Sequence, residues 1–262
     1  MGYEPYGCKY DHDDLKKVRE EFEEGKAVRV AGRLLMIRRM GKMNFCTMND
    51  GTDRFQLIFT RDELSETAFA AFKQLNLGDI IGAEGVLFTT QKGEKSVVVK
   101  EWTMLAKALE QPPEKFHGLA DQEECYRRRY VDLMTNDECR QRFFTRSRLI
   151  MEIRKYLWDK GFVEVETPIL QDQAGGAAAK PFVSHFNALD KDCVMRIAPE
   201  LYLKRLLVGG MNKVFELGKD FRNEGIDRTH NPEFTVCEIY EAYGDRTSME
   251  AIMEIEDRKS VV

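Results

Sequence analysis

The stretch from Phe221 to Tyr240 concentrates residues that can hold a nucleoside triphosphate. An arginine can grip a phosphate through two parallel N–H donors, and an aromatic ring can stack on a nucleobase. Arg222 and Phe234 provide these two groups, and His230, in a His-Asn-Pro turn, adds a donor for a terminal phosphate. We interpret the stretch as a β-hairpin that holds ATP, with an ordinary exposed hairpin of mixed charge as the alternative.

Two side chains of the same hairpin suit an amine substrate. Side chains alternate along a strand, so Glu238 and Tyr240 share the face that carries Phe234. Glu200, in the first turn of a predicted helix, either completes an acidic pocket or only complements the helix dipole. An ammonium group fits such a pocket, because it needs carboxylate and hydroxyl acceptors once buried. The other face is expected to be buried against helices: Thr235, Cys237 and Ile239.

Several predicted elements precede this hairpin. Residues 136–160 are predicted as an amphipathic helix, because apolar side chains recur at helical spacing and a glycine follows. A half-exposed strand comes next and ends at Pro168. A later strand, from Cys193, gives way to a helix at Pro199, which is favourable as a first helical residue. The small-residue loop 173–182 is either a flexible linker or a loop whose backbone must approach a ligand closely.

Residues 26 to about 105 change to a pattern of short strands. A helical segment, roughly 62–75, interrupts after the third strand, and two further strands follow. Three strands, a helix and two strands is the order of an OB-fold barrel. Such barrels bind single-stranded nucleic acid on one face, through aromatic stacking and polar contacts.

Side-chain alternation assigns the faces of two of these strands. If Cys46 and Met48 line the core, Phe45 is an exposed aromatic beside a basic stretch that includes Arg38. That arrangement would be a base-stacking platform with cationic neighbours; alternatively, Phe45 is in the core and the arginines only solvate the rim. On the next strand Gln56 points outward, since the residues of the other face are predicted to be core: Phe55, Leu57 and Phe59.

Composition limits the class of protein. The 262 residues, 43% hydrophobic and 32% charged, are typical of a soluble globular chain. A net charge of −5 argues against non-specific nucleic-acid binding but permits a specific RNA partner at a local basic patch. The arginine run at 126–130 is either solvated and ion-paired or a contact to an RNA backbone. Scattered cysteines and the lack of a long apolar run predict a reducing, cytoplasmic location without membrane association.

Taken in order, these motifs resemble the class II aminoacyl-tRNA synthetases, specifically the lysyl type. GFVEVETPIL is similar to motif 1, and FRNEGIDRTHNPEFTVCEIYEAY is similar to motif 2. GGAAAKPF and MRIAPELYLKRLLVGG resemble lysyl-type signatures, and the barrel with IRRMGKMNF and RFQLIF resembles the anticodon-binding domain. The resemblance covers roughly residues 26–245. It implies an α+β fold, in which a five-stranded OB-fold β-barrel precedes a partial class II catalytic domain built on an antiparallel sheet.

The resemblance also implies roles for residues of the hairpin. Arg222 would bind the α-phosphate and act in catalysis, and Phe234 would stack on adenine. Glu224 would lie at the adenine and the tRNA 3′ end, while His230 and Asn231 would contact the phosphates.

Lysine and anticodon contacts follow from the same resemblance. Glu200 and Tyr240 would recognise the side-chain ammonium of lysine. Glu238 and the loop of Gly176 would hold its α-amino end. The residues implied to read the anticodon are Arg38, Phe45, Gln56 and Glu94.

The implied reaction joins L-lysine to tRNA(Lys) through a lysyl-adenylate, with ATP as substrate, Mg²⁺ as the accompanying ion and a homodimer formed through motif 1. We expect four segments: an incomplete N-terminal segment at 1–25, the OB-fold domain at 26–106, a linker at 107–135 and a partial catalytic domain at 136–262. The family's third motif and Mg²⁺-binding acids are expected beyond Val262, so no metal site is assigned. We therefore expect a truncated form with little aminoacylation activity; an inactive tRNA-binding fragment or paralogue is the alternative.

Overall fold

The computed structural model describes residues 7, 9–110, 112, 119 and 121–258, with the side chains of 254–258 excepted. The chain forms two compact units, residues 1–141 and 142–262. Part of the expected linker, at 111, 113–118 and 120, lies outside the described residues. Among the helices that are described, none is both long and apolar enough to cross a membrane.

The first unit contains a β-barrel. Its elements are, in chain order, α1 (Leu15–Glu20), β1 (Ala27–Met40), β2 (Met43–Asn49), β3 (Arg54–Thr60), α2 (Glu66–Phe72), β4 (Ile80–Thr89) and β5 (Lys95–Ala106). The strands close in the order β1-β2-β3-β5-β4. β3 and β5 pair in parallel, and the other neighbours are antiparallel. This is the predicted OB-fold barrel, which is thereby confirmed.

The barrel core consists of the side chains that alternation predicts. Phe55, Leu57 and Phe59 of β3 are at most 1% exposed and lie in one apolar cluster. Cys46 and Met48 of β2 belong to the same cluster, so Phe45 lies on the outer face and is half-buried. Removal of this apolar surface from water, at about 25 cal/mol per Å², is the main force that stabilises the barrel.

Three helices follow the barrel: α3 (Gln122–Arg127), α4 (Arg129–Thr135) and α5 (Asp137–Asp159). Asp121 caps α3 by accepting the N–H of Glu123 at 3.1 Å. The predicted long helix agrees with α5 to within one residue at each end. Its apolar stripe is buried only towards the C-terminus, since Leu157 is 0% exposed whereas Leu149 is 49% exposed.

The second unit contains two small sheets. Its elements after α5 are β6 (Val163–Glu164), β7 (Leu170–Gln171), β8 (Val183–Phe186), a 3-10 turn (Asn187–Leu189), β9 (Lys191–Met195), α6 (Glu200–Val208), β10 (Lys213–Phe221), β11 (Glu233–Glu241) and α7 (Arg246–Arg258). One sheet has the order β11-β10-β6, and the other has the order β7-β9-β8. β6 pairs in parallel with β10, and the remaining pairs are antiparallel.

Two element boundaries differ from the prediction. The strand expected to end at Pro168 is assigned only at Val163–Glu164, although the N–H of Val165 still donates to the Phe215 carbonyl at 2.9 Å. Beyond that point the chain leaves the ladder. Pro199 is the residue before α6 rather than its first residue, so Glu200 begins the helix.

The back face of the β10–β11 hairpin packs against α5 and α7 through Leu217 and Ile239. The prediction that Cys237 is also buried on this face is wrong, because Cys237 is exposed. Thr235 is half-buried, and its Oγ1 accepts a hydrogen bond from Arg146 Nη2 at 2.9 Å. The apolar cluster covers only the Ile239 end of β11, so alternation alone overstates the burial of this face.

Candidate active site

The front face of the hairpin is the side opposite α5 and α7. Cross-strand partners share a face, and the register pairs Glu216 with Glu238 and Asp220 with Phe234. Both acids of β10 are buried, at 3% and 1% exposure. We use "front face" for the surface formed by Val214, Glu216, Gly218, Asp220, Phe234, Val236, Glu238 and Tyr240.

Arg222 and Phe234 meet at one end of the front face. The N–H of Arg222 donates to the Pro232 carbonyl at 2.9 Å, which extends the antiparallel ladder past the end of β10. The guanidinium carbon of Arg222 lies 4.9 Å from the centre of the Phe234 ring. A cation and an aromatic ring at this separation attract each other. The two groups proposed to hold a nucleotide are therefore already in contact.

Glu224 contacts the small-residue loop. Its Oε1 accepts the N–H of Lys180 at 3.3 Å, and the N–H of Asn223 donates to the Lys180 carbonyl at 2.8 Å. Glu224 itself is exposed. These bonds tie the start of the hairpin loop to the segment 173–182, so that segment is not simply a free linker.

His230 is held within the hairpin loop by Asp227, a residue that sequence reasoning missed. Asp227 Oδ1 accepts the N–H groups of Thr229 at 2.7 Å and of His230 at 2.9 Å, and its Oδ2 lies 2.7 Å from His230 Nδ1. The backbone bond from Thr229, the His230 side chain and the Thr229 hydroxyl hold the pKa of the Asp227 carboxyl well below its usual range. Asn231 follows as an exposed residue. An aspartate three residues before a histidine in a turn is the sequence signal that could have predicted these hydrogen bonds.

The proposed amine pocket brings together Glu238, Tyr240 and Glu200. The Tyr240 hydroxyl donates to Glu238 Oε2 at 3.1 Å. Burial, together with the negative charges of Asp220, Glu200 and Glu216, raises the pKa of the Glu238 carboxyl, although the Tyr240 bond opposes the shift. Burial is the main cause that raises the pKa of Tyr240 far above its usual range, and the negative charge of Glu238 is the second. Glu200 Oε1 accepts a bond from Lys204 Nζ at 2.5 Å.

Gly176 lies against Glu200. Its φ is +87°, a left-handed value that L residues rarely adopt, and a Cβ there would come 2.9 Å from the Cβ of Glu200. Glycine at this position therefore allows the small-residue loop to close over the acidic pocket. The loop backbone therefore makes a close approach to Glu200, and its approach to a ligand stays a prediction.

A buried arginine, Arg196, which no local pattern singles out, organises the front face. Arg196 is 1% exposed and forms ion pairs with Glu216 and with Asp220, the latter at 3.2 Å. Its Nη1 also donates to Thr167 Oγ1 at 3.1 Å. A Cβ on Gly218 would come 2.5 Å from Arg196 Nη2, so only glycine leaves room for the guanidinium on the sheet.

Three of the four residues implied to read an anticodon share the outer face of the barrel. Arg38 lies opposite Phe45 in the β1–β2 register, and Gln56 lies opposite Thr47, which shares the face of Phe45. Gln56 Nε2 donates to Ser96 Oγ at 2.9 Å, which fixes its amide. Glu94 is exposed and precedes β5, in the turn where its N–H bonds to Thr90 Oγ1 at 3.0 Å.

Among the described residues, no group of three or more His, Cys, Asp or Glu side chains is arranged to hold a metal ion.

The sequence of residues 121–257 matches the family of class II tRNA synthetases (D, K and N), and residues 28–105 match the OB-fold nucleic acid binding domain of the tRNA anti-codon family. The chain therefore belongs to the class II tRNA synthetases of the D, K and N group. The barrel and the hairpin sheet are the two parts that these matches cover.

Lysine–tRNA ligases are among the curated proteins similar to this chain. The ligase of Syntrophomonas wolfei is 49% identical over 97% of this chain and 52% of its own length. The ligase of Nitrosomonas europaea is 54% identical over 94% of this chain and 51% of its own. That of Cupriavidus metallidurans is 56% identical over 83% of this chain. The chain spans about half the length of the curated relatives it matches.

Proposed function

We propose that this chain serves the ATP-dependent ligation of L-lysine to tRNA(Lys), and that the front face of the hairpin binds ATP and lysine side by side. One observation carries the proposal: a single sheet face presents the Arg222–Phe234 pair at one end and the Glu238–Tyr240 pair at the other. The first pair suits a nucleotide, and the second suits an ammonium group. The similarity to lysine–tRNA ligases supports lysine as the amine.

The first step forms a lysyl-adenylate. An oxygen of the lysine carboxylate attacks the α-phosphorus of ATP, a new P–O bond forms, and the bond to the β-phosphate oxygen breaks to release pyrophosphate. Phe234 stacks on the adenine, and Arg222 places positive charge at the α-phosphate, where negative charge accumulates. Beyond this, the protein contributes mainly by positioning the two reactants. His230 and Asn231 contact the outer phosphates.

Lysine is selected by its two ammonium groups. Glu200 and Tyr240 accept from the side-chain ammonium, while Glu238 and the Gly176 loop hold the α-amino end. The raised pKa of Glu238 is consistent with this assignment: burial is its main cause, and the charges of Asp220, Glu200 and Glu216 add repulsion. A bound ammonium would offset that repulsion.

In the second step, a ribose hydroxyl at the tRNA 3′ end attacks the acyl carbonyl of the adenylate, and AMP leaves. We assign Glu224 to the adenine and the tRNA 3′ end. On the barrel, Phe45 would stack on an anticodon base, and Arg38, Gln56 and Glu94 would supply polar contacts. Translation is the use of such a product, so we place the reaction in the cytoplasm.

ATP enters as its magnesium complex in this family, and Mg²⁺ would supply charge neutralisation at the phosphates.

A homodimer through motif 1 is also proposed. It is supported by exposed apolar side chains of α5, a surface that a second copy would cover. Examples are Phe144, Met151 and Trp158, at 61%, 60% and 64% exposure.

The test is lysine-dependent ATP–pyrophosphate exchange by the 262-residue chain, with tRNA binding measured in parallel. Exchange that needs lysine and is lost in Arg222→Ala supports the ligase assignment. Retained tRNA binding without exchange supports the alternative, a tRNA-binding module that does no chemistry. Exchange that proceeds equally with other amino acids contradicts the assignment of lysine.

A further inference from the structure

Asp220 is a buried acid with no hydrogen bond to either carboxylate oxygen in the part of the chain that the structure describes. It is 1% exposed and lies on the front face, opposite Phe234. Arg196 Nε is 3.2 Å from its Oδ1, but the Nε proton is directed to the Lys219 carbonyl at 2.9 Å. Asp220 therefore has a positive neighbour, but neither of its carboxylate oxygens accepts a hydrogen bond.

Arg222 has a buried hydrogen-bond donor that is also unpaired. Its Nε is buried and has no hydrogen-bond partner among the described residues. A buried donor and a buried acceptor that both stay unpaired are unfavourable, and such groups are rare in folded proteins. The two orphaned groups belong to residues only two positions apart.

The backbone places these two side chains on one side of the hairpin. The ladder continues from Asp220 through Arg222, whose N–H donates to the Pro232 carbonyl, so side chains two residues apart share a face. Phe234 is the cross-strand partner of Asp220 and lies under the Arg222 guanidinium. Burial raises the pKa of Asp220, whereas the charges of Arg196 and then Arg222 lower it, which places Arg222 within electrostatic reach.

We propose that Asp220 is a positioning residue for Arg222: its carboxylate accepts the Nε–H of Arg222 when a nucleotide phosphate engages the guanidinium. A guanidinium is planar and carries five donors in a fixed fork. When Nε–H is bound to Asp220, the two terminal NH2 groups face the phosphate together. The inference rests on the proposed role of Arg222 at the α-phosphate. Asp220 makes no contact with the nucleotide and acts only through Arg222.

Binding of ATP, AMP and adenosine to the full chain, measured by titration calorimetry, tests this role. Asp220→Asn is expected to weaken ATP and AMP about fivefold, because a neutral amide oxygen accepts the Nε–H more weakly than a carboxylate does, while adenosine binding changes less than about twofold. In an Arg222→Ala background, Asp220→Asn is expected to have no further effect on ATP. The matched control, Glu233→Gln, removes an exposed carboxylate next to Phe234 and should leave all three ligands unchanged.

Three results would overturn the inference. They are unchanged ATP affinity in Asp220→Asn, an equal loss for adenosine, and losses that add to those of Arg222→Ala. An equal loss for adenosine would show that Asp220 only supports the fold. If the wild-type chain binds ATP but shows no lysine-dependent exchange, the proposed function fails while this comparison still decides the role of Asp220. A wild-type chain that binds neither ATP nor AMP overturns both.

Discussion

The guanidinium carbon of Arg222 lies 4.9 Å from the centre of the Phe234 ring, at the loop end of the β10–β11 hairpin. Adenine cannot stack on a ring face that the guanidinium already covers. A nucleotide must therefore use the other ring face or displace the guanidinium towards its own phosphate. In either case the two residues act as one unit, and we expect the effects of changing them to be non-additive.

Phe234→Ala is expected to weaken ATP binding about tenfold or more, because base–aromatic stacking contributes about 1–3 kcal/mol per base. Calorimetric titration of ATP measures the change. Phe186→Ala, which removes an exposed aromatic from β8, is the control and should leave ATP affinity unchanged. An ATP affinity within about twofold of wild type in Phe234→Ala would remove Phe234 from the site.

Glu238→Gln is expected to stabilise the fold at neutral pH while weakening lysine binding. Burial and neighbouring acids raise the folded-state pKa of Glu238 above its ordinary value of 4.5. Between the unfolded-state pKa and the higher folded-state pKa, the folded protein holds more protons than the unfolded chain. The free energy of unfolding therefore falls as pH rises through that window. Glutamine removes this contribution, and its carbonyl can still accept the Tyr240 hydroxyl.

Urea unfolding at about pH 4 and about pH 7.5 measures this effect. The variant should match wild type at the lower pH and exceed it at the higher pH. Asp220, whose pKa is raised in the same direction, keeps part of the pH dependence in both proteins. A variant less stable than wild type at the higher pH would show that the Glu238 carboxylate stabilises the fold.

Gly218→Ala is expected to destabilise the second unit by about 1–3 kcal/mol, as overpacking of a filled site usually does. The added Cβ would lie 2.5 Å from Arg196 Nη2 and would force the buried guanidinium away from Glu216 and Asp220. The midpoint of urea unfolding is the measurement. Gly225→Ala is the matched control, since a Cβ there meets nothing within 4 Å. Equal midpoints in the two variants would show that Arg196 can move without cost.

Phe45→Ala is expected to cost about 1–3 kcal/mol in binding to an anticodon stem-loop of tRNA(Lys). Fluorescence anisotropy with a labelled stem-loop measures it. Phe88→Ala removes an aromatic that is 41% exposed on β4, and it should not change binding. If both variants bind like wild type, the outer face of β2 is not the base-stacking platform.

Much of the fold could be predicted because it depends on local patterns. Strand alternation located Phe55, Leu57 and Phe59 in the barrel core and turned Gln56 outward. The same rule placed Glu238 and Tyr240 together. These predictions needed only the period of two that every strand imposes.

The features that the sequence did not predict depend on tertiary contacts. Arg196 reads as an ordinary charged residue at a strand end, and its burial arises only when Thr167, Glu216 and Asp220 meet from separate segments. The exposure of Cys237 likewise depends on how far the helices reach along β11. Alternation indicates which side a residue faces, but it does not indicate what covers that side.

The front face of the hairpin is proposed to bind ATP and lysine next to each other. Calorimetry with a non-hydrolysable sulfamoyl analogue of lysyl-adenylate tests it most directly, because the analogue spans both ends of the front face. We predict binding to the wild-type chain, at least about tenfold weaker binding to Arg222→Ala and to Glu238→Gln, and no change for Glu233→Gln. A wild-type chain that does not bind the analogue, or variants that bind it as tightly as wild type, would contradict the account.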